Sequence, residues 1–227
     1  MLCNSPYNTG PGNYHPSPIS RATYQGICCR FVDLDMFESI QKNISKYLSL
    51  KDEELAYFSS LLKVKRLRKK QFLLEEGEIC SFECYVNTGC LRQYYLDDGG
   101  SEHIVQFAVA GWWINDQHSY LKELPSQYFI DALEDAQLFL IEKRSLEQLY
   151  IKMPVFERLF RIAFQNSYAA LQRRILASIS QTAEERYLNF RNAYPEIEKK
   201  VPQHQIASYL GIKPESLSRL RKQLAQK

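Results

Sequence analysis

Residues 204–222 read HQIASYLGIKPESLSRLRK and contain two short helical patterns joined by a turn. Pro202 can occupy the first helical position of a pattern that runs through Gln203–Leu210, and Pro214 can start the second pattern. Gly211 stands where the chain must turn, because glycine adopts left-handed backbone dihedrals at the lowest cost. The segment therefore predicts a compact pair of helices.

The second helix of this pair has two chemically different faces at helical spacing. One face carries Leu217, Leu220 and Leu224, and the opposite face carries only polar side chains, namely Glu215, Ser218, Arg219 and Lys222. A helix-turn-helix needs an inner face that packs on the first helix and an outer face of hydrogen-bonding side chains for the major groove of DNA. A helical hairpin with a solvated, charged face is the alternative interpretation of the same pattern.

The outer face suggests roles for individual residues at a DNA surface. Arg219 can donate two parallel hydrogen bonds to guanine, while Glu215 can accept one from the cytosine amine and also hold Arg219 in place. Ser218 can contact a base edge or a phosphate. Phosphate contacts, which give affinity and salt dependence but little sequence preference, are expected from Gln203, Lys213, Arg221 and Lys222.

The distribution of charge favours contact with a polyanion. The 227-residue chain has a net charge of +3, but residues 199–227 hold seven Lys or Arg and one acid, a net of +6 that leaves −3 for residues 1–198. A basic module on a mildly acidic body is the expected footprint of a nucleic-acid partner. No apolar run approaches about 18 residues and no secretory signal follows Met1, so we expect a cytoplasmic protein without a membrane span.

Neither a metal site nor an active site is predicted. Four residues could be imagined as zinc ligands: Cys80, Cys84, Cys90 and His103. Their spacing does not contain the paired C-x2-C knuckles that are typical of zinc sites. Cys90 and His103 are also the most plausible nucleophile pair, but no orienting acid accompanies them. The stretch GWWIND, at 111–116, is better explained by tryptophans that cap a core than by a catalytic loop, so we expect no enzyme activity and no cofactor.

Changes of pattern divide the chain into four regions. Residues 1–35 are rich in proline, asparagine and serine and are predicted to be disordered, or an extension upstream of a true start at Met36. Residues 36–152 contain flanking helices and short alternating segments punctuated by glycine, which predict an α+β domain with an antiparallel β-roll of the jelly-roll or double-stranded β-helix type. LDDGGSEH, at 96–103, is a hairpin signal, because Asp-Gly tolerates the positive φ of tight primed turns. Residues 153–180 and 181–227 are interpreted as a dimerisation helix and a helix-turn-helix domain.

The long helical tract, at about 155–180, carries an apolar stripe. Its members recur at spacings of four or three: Phe160, Phe164, Tyr168, Leu171, Ile175 and Ile179. Further apolar residues widen this surface, and the tract is too long to be covered by so small a β-domain. We therefore expect a homodimer, with a helix buried inside a monomer as the alternative.

These segments resemble the Crp/Fnr superfamily of bacterial transcription regulators over about residues 40–227. The resemblance is carried by EEGE (75–78) and YVNTGCLR (85–92) in the roll, by the long helix, and by IASYLGIKPESLSRLRK (206–222). Glu215, Ser218 and Arg219 match the E-x-x-S-R pattern of the family's recognition helix. The resemblance implies a dimer that reads double-stranded DNA at two-fold-related half-sites one helical turn apart, with RNA polymerase as a further candidate partner.

The candidate effector pocket departs from members of this family that bind cyclic AMP. Where those members have a Gly-Glu pair this chain has Asn115-Asp116, and where they have the phosphate-gripping Arg-Ser or Arg-Thr pair it has Ser126-Gln127, followed by Tyr128. Asp116 and Asp131 are the charges expected nearby, and burying a phosphate without a cationic partner is costly. We expect that cyclic nucleotides do not bind usefully and that the pocket holds either another, unidentified effector or no ligand. The spacing of Cys3, Cys28 and Cys29 likewise does not match the iron–sulfur cluster of oxygen-sensing members.

The sequence is therefore compatible with two functions. In the first, the roll and the dimer helix set the separation and tilt of two recognition helices, so that a shift of the dimer helix changes DNA affinity. In the second, a ligand-binding module uses its C-terminal helices to dock a protein partner. Salt dependence separates the two, because neutralising phosphates releases counterions.

Overall fold

The computed structural model describes residues 34–226. They begin with a 3-10 helix, Leu34–Phe37, followed by α1 (Glu38–Ser45) and α2 (Asp52–Ser60). The predicted disordered or extended segment 1–35 lies outside the described residues, apart from its last two positions, which start the first helical turn.

Two four-stranded antiparallel sheets follow and form the β-roll. Their orders are β1-β8-β3-β6 and β2-β7-β4-β5, so the predicted antiparallel roll is confirmed. The strands are β1 (Lys63–Leu67), β2 (Phe72–Leu74), β3 (Phe82–Thr88), β4 (Cys90–Leu96), β5 (Glu102–Val109), β6 (Trp113–Ile114), β7 (Phe129–Ala132) and β8 (Ala136–Glu142).

The two faces of the second sheet belong to different apolar cores, because side chains alternate along a strand. Leu91 and Ala108 point between the sheets and join the roll's core. Their neighbours Cys90 and Phe107 point the other way and join a second core that includes C-terminal residues. The second sheet is therefore covered on both faces.

Two turns show where glycine is required. Gly89, between β3 and β4, has φ +97°, and a Cβ there would lie 2.6 Å from the Cβ of Ala136. The predicted hairpin connects β4 to β5, but its loop spans Asp97–Ser101 and is longer than a two-residue primed turn. Asp97 accepts hydrogen bonds from the N–H groups of Gly99 (3.0 Å) and Ser101 (2.8 Å), and the positive φ falls at Gly100. The aspartate side chain thus closes the longer loop itself.

Three helices pack on or extend from the roll, namely α3 (Gln117–Lys122), α4 (Lys143–Lys152) and α5 (Val155–Ser180). Only the first turns of α5 are buried in the roll's core, through Phe156, Leu159 and Phe160. The rest of the predicted stripe is between 41% and 79% exposed: Phe164, Tyr168, Leu171, Ile175 and Ile179. This is the face that the sequence assigns to a second copy of the chain.

The remaining helices are α6 (Ala183–Ala193), α7 (Pro195–Lys200), α8 (Gln203–Leu210) and α9 (Pro214–Leu224). The predicted capping box is present, since the Thr182 N–H donates to Glu185 (2.8 Å) and the Glu185 N–H donates to the Thr182 hydroxyl (3.3 Å). Pro202 precedes α8 and is not its first helical residue, because its ψ of 142° is extended. Within residues 34–226, every helix is too short or too polar to cross a lipid bilayer.

Candidate nucleic-acid interface

The turn between α8 and α9 is closed by a pair of backbone hydrogen bonds. Gly211 has φ 66° and ψ 38°, its N–H donates to the Ser208 carbonyl (3.0 Å), and the Ile212 N–H donates to the Ala207 carbonyl (3.0 Å). This is a Schellman motif, in which a left-handed residue lets two amides satisfy the last carbonyls of the helix. The predicted glycine turn is confirmed, and it fixes the direction in which α9 leaves.

The two faces of α9 are separated as the sequence predicts. Leu217 is fully buried, and Leu220 and Leu224 are half-buried on the same side. The polar residues of the opposite side are all exposed: Glu215, Ser218, Arg219 and Lys222. Burial of the leucines therefore turns a row of hydrogen-bonding side chains outward.

Arg219 is held by backbone and not by a carboxylate. Its Nε donates to the carbonyl oxygen of Glu215 at 3.4 Å, whereas the sequence suggested that the Glu215 carboxylate could hold it. A hydrogen bond this long restrains the guanidinium weakly. The carboxylate of Glu215 and most of the Arg219 fork stay available to an external partner.

The first turn of α8 lies beside this face. Gln203 and His204 share a shallow depression with Pro214, Glu215, Ser218 and Arg219. The structure thus brings Gln203, predicted to contact phosphate, next to the predicted base-reading residues. His204 was not singled out from the sequence, although its place directly after Gln203 in the first turn could have indicated it.

Not all of the basic residues face outward. Arg221 lies 3.3 Å from Glu198 of α7 in a partly buried ion pair, and Lys200 lies 2.6 Å from Glu134 in the loop before β8. By contrast, Lys213, Arg219 and Lys222 are exposed and form no ion pair within residues 34–226. Of the basic residues that the structure describes around α9, three therefore present free positive charge.

The candidate effector residues satisfy one another inside the roll. Asp116 precedes α3, and its Oδ1 accepts hydrogen bonds from the N–H groups of His118 (3.0 Å) and Ser119 (3.1 Å). Its Oδ2 accepts from the Ser126 hydroxyl (2.8 Å), which in turn accepts from the Tyr128 N–H (3.0 Å). A protein carboxylate thus already occupies the N-terminus of α3, where an anionic ligand would otherwise be favoured.

A buried carboxyl that the sequence did not indicate lies next to this network. Glu83 of β3 is 2% exposed, and one of its oxygens accepts from the side-chain amides of Asn115 (3.1 Å) and Gln117 (2.9 Å). Burial raises the pKa of Glu83 to about 8 and outweighs the hydrogen bonds from the two amides, which lower it. The carboxyl is therefore largely neutral at neutral pH.

Asp131 does not lie beside the effector residues. It pairs with Arg92 across β7 and β4, with distances of 2.7 and 3.0 Å, and Arg92 also binds Glu102. Arg92 alternates with Leu91, which points between the sheets, so this ion-pair cluster lies on the outer face of the second sheet. The sequence expectation for Asp131 is wrong because it did not resolve which face of the strand the residue occupies.

Known proteins resemble this chain in sequence and in fold. Residues 64–152 match the family model of the cyclic nucleotide-binding domain. The anaerobic regulatory protein of Haemophilus influenzae is 25% identical over 184 residues, which is 76% of this chain and 71% of that protein. The fumarate and nitrate reduction regulatory protein of Vibrio cholerae is 27% identical over 190 residues, with 76% and 73% covered. FixK2 from Bradyrhizobium japonicum shares the fold with a TM-score of 0.61 at 21% identity, with 73% of this chain and 85% of that chain covered.

The chain thus resembles the regulators of the Crp/Fnr superfamily. Both relatives are named as regulatory proteins. The conceivable nucleophile pair is not assembled, since Cys90 pairs with Val109 and His103 pairs with Tyr95 near the opposite end of the β4–β5 ladder. No metal-binding group of His, Cys, Asp or Glu occurs among residues 34–226.

The tryptophans of GWWIND pack as the sequence suggested. The ring of Trp113 meets Tyr85 of β3 and Phe160 of α5 edge-on, at centroid distances of 5.3 and 5.1 Å. Trp112 meets Tyr194 of the C-terminal domain at 5.5 Å. The pair therefore joins the roll both to the long helix and to the junction of α6 and α7.

Proposed function

We propose that this protein is a dimeric, sequence-specific DNA-binding transcription regulator of the Crp/Fnr type in which α9 is the recognition helix. The observation that carries the proposal is the division of α9 into a buried leucine face and an exposed face of hydrogen-bonding side chains. A helix that docks in the major groove needs both faces. The curated relatives, named as regulatory proteins, support the same function over three quarters of the chain.

Within this function, Arg219 reads guanine, Glu215 accepts from cytosine, and Ser218 contacts a base edge or phosphate. Gln203, Lys213 and Lys222 supply phosphate contacts from the flanks of the same face. Arg221 would have to exchange its partner Glu198 for a phosphate, so we assign it a smaller share of the salt dependence.

The exposed stripe of α5 supports a homodimer in this proposal. A row of large apolar side chains along a helix is costly to leave in water, and a second copy can cover it by coiled-coil packing. Two recognition helices then read two-fold-related half-sites. A cytoplasmic location and a contact with RNA polymerase stay predictions of the regulator function.

The roll of this regulator is proposed not to respond to cyclic nucleotides. A cyclic phosphate at the N-terminus of α3 would meet the buried carboxylate of Asp116, and the position expected for a gripping arginine is Ser126. The buried arginine of the neighbouring sheet, Arg92, is paired with two carboxylates on the outer face. Like-charge contact without a compensating cation opposes phosphate binding.

The test is selection of bound duplexes from a random DNA pool by the full chain. Wild type is expected to enrich a two-fold-symmetric site with a G·C pair at one position of each half-site. Arg219→Ala should lose that preference, because one bidentate contact discriminates between bases by about 1–3 kcal/mol. Arg191→Ala is the matched control, since Arg191 is an exposed arginine on α6 outside this face.

Enrichment that is identical for wild type and Arg219→Ala would contradict the assignment of the base-reading face. The protein-docking alternative would be favoured if neither wild type nor the variants enriched any sequence at low salt and if their affinity for DNA did not depend on salt. If Arg219→Ala and Arg191→Ala both enriched the same symmetric site as strongly as each other, residues other than Arg219 would recognise the sequence.

A further inference from the structure

A groove separates the far half of α5 from the DNA-binding helices. It is bounded by α5, α6, the end of α8 and the edge of β5, it is partly open to solvent, and its volume is about 590 Å³. Sites for small organic ligands in proteins fall in the range of about 300–1,000 Å³. The groove therefore has the size of a small-molecule site.

The groove lies next to the apolar stripe of α5 and shares one residue with it. Ala170, Arg174 and Ala177 of α5 line it together with Ile175 of the stripe and the neighbouring Leu176. At 3.6 residues per turn, the row through Ala170, Arg174 and Ala177 lies about 110° around the helix from the row through Leu171 and Ile175. A second copy on the stripe would therefore contact the groove at Ile175 and leave the wall formed by Ala170 and Arg174 facing into it.

The lining combines apolar surface with a single sign of charge. Apolar and aromatic side chains line it: Ile104, Ala170, Ala177, Phe190, Tyr194 and Tyr209. Three arginines also line it, Arg173, Arg174 and Arg186, whereas Asp and Glu are absent from the lining residues. Such a site favours a ligand that has an apolar body and a negative charge.

The arginines differ in how their hydrogen-bonding capacity is used. Arg174 already has protein partners, because it donates to the Val105 carbonyl and its guanidinium carbon lies 4.9 Å from the centre of the Tyr209 ring. Arg186 has unused hydrogen-bonding capacity. Its Nε is buried without a hydrogen-bond partner among the described residues, and its Nη1 makes only a long contact of 3.5 Å with the Ser178 carbonyl. A buried donor without an acceptor is costly, and an anion in the groove would supply that acceptor.

We propose that this groove binds a small organic carboxylate with an aromatic or long aliphatic body. Its carboxylate is held by Arg186, with Arg173 at the exposed side, and its body lies against Phe190 and Tyr209. The inference is independent of the regulator function, because binding is measured without DNA.

The experiment is calorimetric titration of the full chain with 2-naphthoate and decanoate, and with 2-naphthamide as the neutral isostere. At least one anion is expected to bind saturably at millimolar concentration or below. If that anion is 2-naphthoate, the naphthamide is expected to bind about 10- to 100-fold more weakly, which is the usual effect of losing hydrogen bonds to a charged group. Arg186→Gln should weaken binding of the anion by a similar factor.

The control variant is Arg191→Gln, which removes an exposed arginine from the same helix outside the groove. It is expected to bind the anions as wild type does. The neutral isostere tests the charge requirement on wild-type protein, so that test does not depend on whether Arg186→Gln folds normally. Absence of saturable binding by both anions, equal affinity for naphthoate and naphthamide, or equal weakening by the two variants would overturn the proposal.

Discussion

Replacing Glu83 by Gln is expected to remove a pH dependence from the stability of the roll. In wild type, the Glu83 carboxyl is buried on β3, and its Oε1 accepts hydrogen bonds from the side-chain amides of Asn115 and Gln117. Burial raises its pKa to about 8, above the value near 4.5 of an exposed glutamate. Between these two pH values the folded chain holds a proton that the unfolded chain has released, so the free energy of unfolding falls as pH rises.

The size of the effect follows from that interval. The slope approaches about 1.4 kcal/mol per pH unit, and at pH 7 the accumulated loss is on the order of 3 kcal/mol relative to pH 4.5. Glutamine can accept from the same two amides and carries no charge at any pH, so Glu83→Gln should not show this loss. Four groups interact electrostatically with Glu83, namely Cys80, Cys84, Tyr120 and Tyr150. They do not titrate in this pH range, because burial raises their pKa values.

The assay is urea unfolding at a series of pH values from about 5 to 8.5, with the difference between wild type and variant as the measured quantity. Surface groups contribute equally to both proteins and cancel in that difference. Glu76→Gln, which changes an exposed glutamate in the turn before β3, should follow the wild-type curve. If the difference between wild type and Glu83→Gln does not change with pH, the carboxyl is charged in the folded state and the reasoning about its burial is wrong.

Three further outcomes are expected. Gly89→Ala should destabilise the chain by more than about 3 kcal/mol in urea unfolding, because the new Cβ meets Ala136 at 2.6 Å and φ is +97°, while Gly77→Ala, with φ +87° and open space, should cost about 1–2 kcal/mol. Ile175→Glu should convert the dimer to a monomer in sedimentation, because it places a charge in the exposed stripe of α5. Cyclic AMP should leave the melting temperature unchanged at millimolar concentration, because Asp116 occupies the N-terminus of α3.

Each of these outcomes has a control or a contrary result. Equal losses for the two glycine variants would show that the contact with Ala136 relaxes freely. Asn166→Glu lies about half a turn away from the stripe on α5 and should leave the dimer intact. A melting temperature that rises with cyclic AMP concentration would show that the roll accommodates a phosphate beside Asp116.

Elements with a regular period were predictable from the sequence, because local chemistry determines them. The tract predicted at about 155–180 is α5 at Val155–Ser180, since a long apolar period with Pro154 before it leaves few alternatives. Gly211 and Pro214 fix the turn before α9 and its first residue through backbone conformation alone. The outer face of α9 then follows from the spacing of its leucines.

Features that depend on pairs distant in sequence were not predictable. The charge pattern assigned Arg221 to phosphate, but its partner Glu198 comes from another helix. Glu83 stands in an ordinary strand pattern, and its buried state depends on amides more than 30 positions away. A single sequence specifies such contacts only through the completed fold, so residue type and period could not indicate them.

The junction of β5, α5 and α8 gives a physical reason why the roll and the DNA-binding domain of this regulator should influence each other. Ser208 of α8 accepts from the Ile104 N–H (3.0 Å) and donates to the Glu102 carbonyl (2.9 Å), so it pairs with the edge of β5 as a neighbouring strand would. Arg174 of α5 binds the carbonyl of Val105, the residue that follows in the same strand. A displacement of β5 relative to α5 must therefore either break these hydrogen bonds or carry α8, and with it the turn to α9. A ligand in the groove beside this junction would touch α5 and α8 together, and by linkage any change it made in DNA affinity would equal the change that DNA makes in its own affinity.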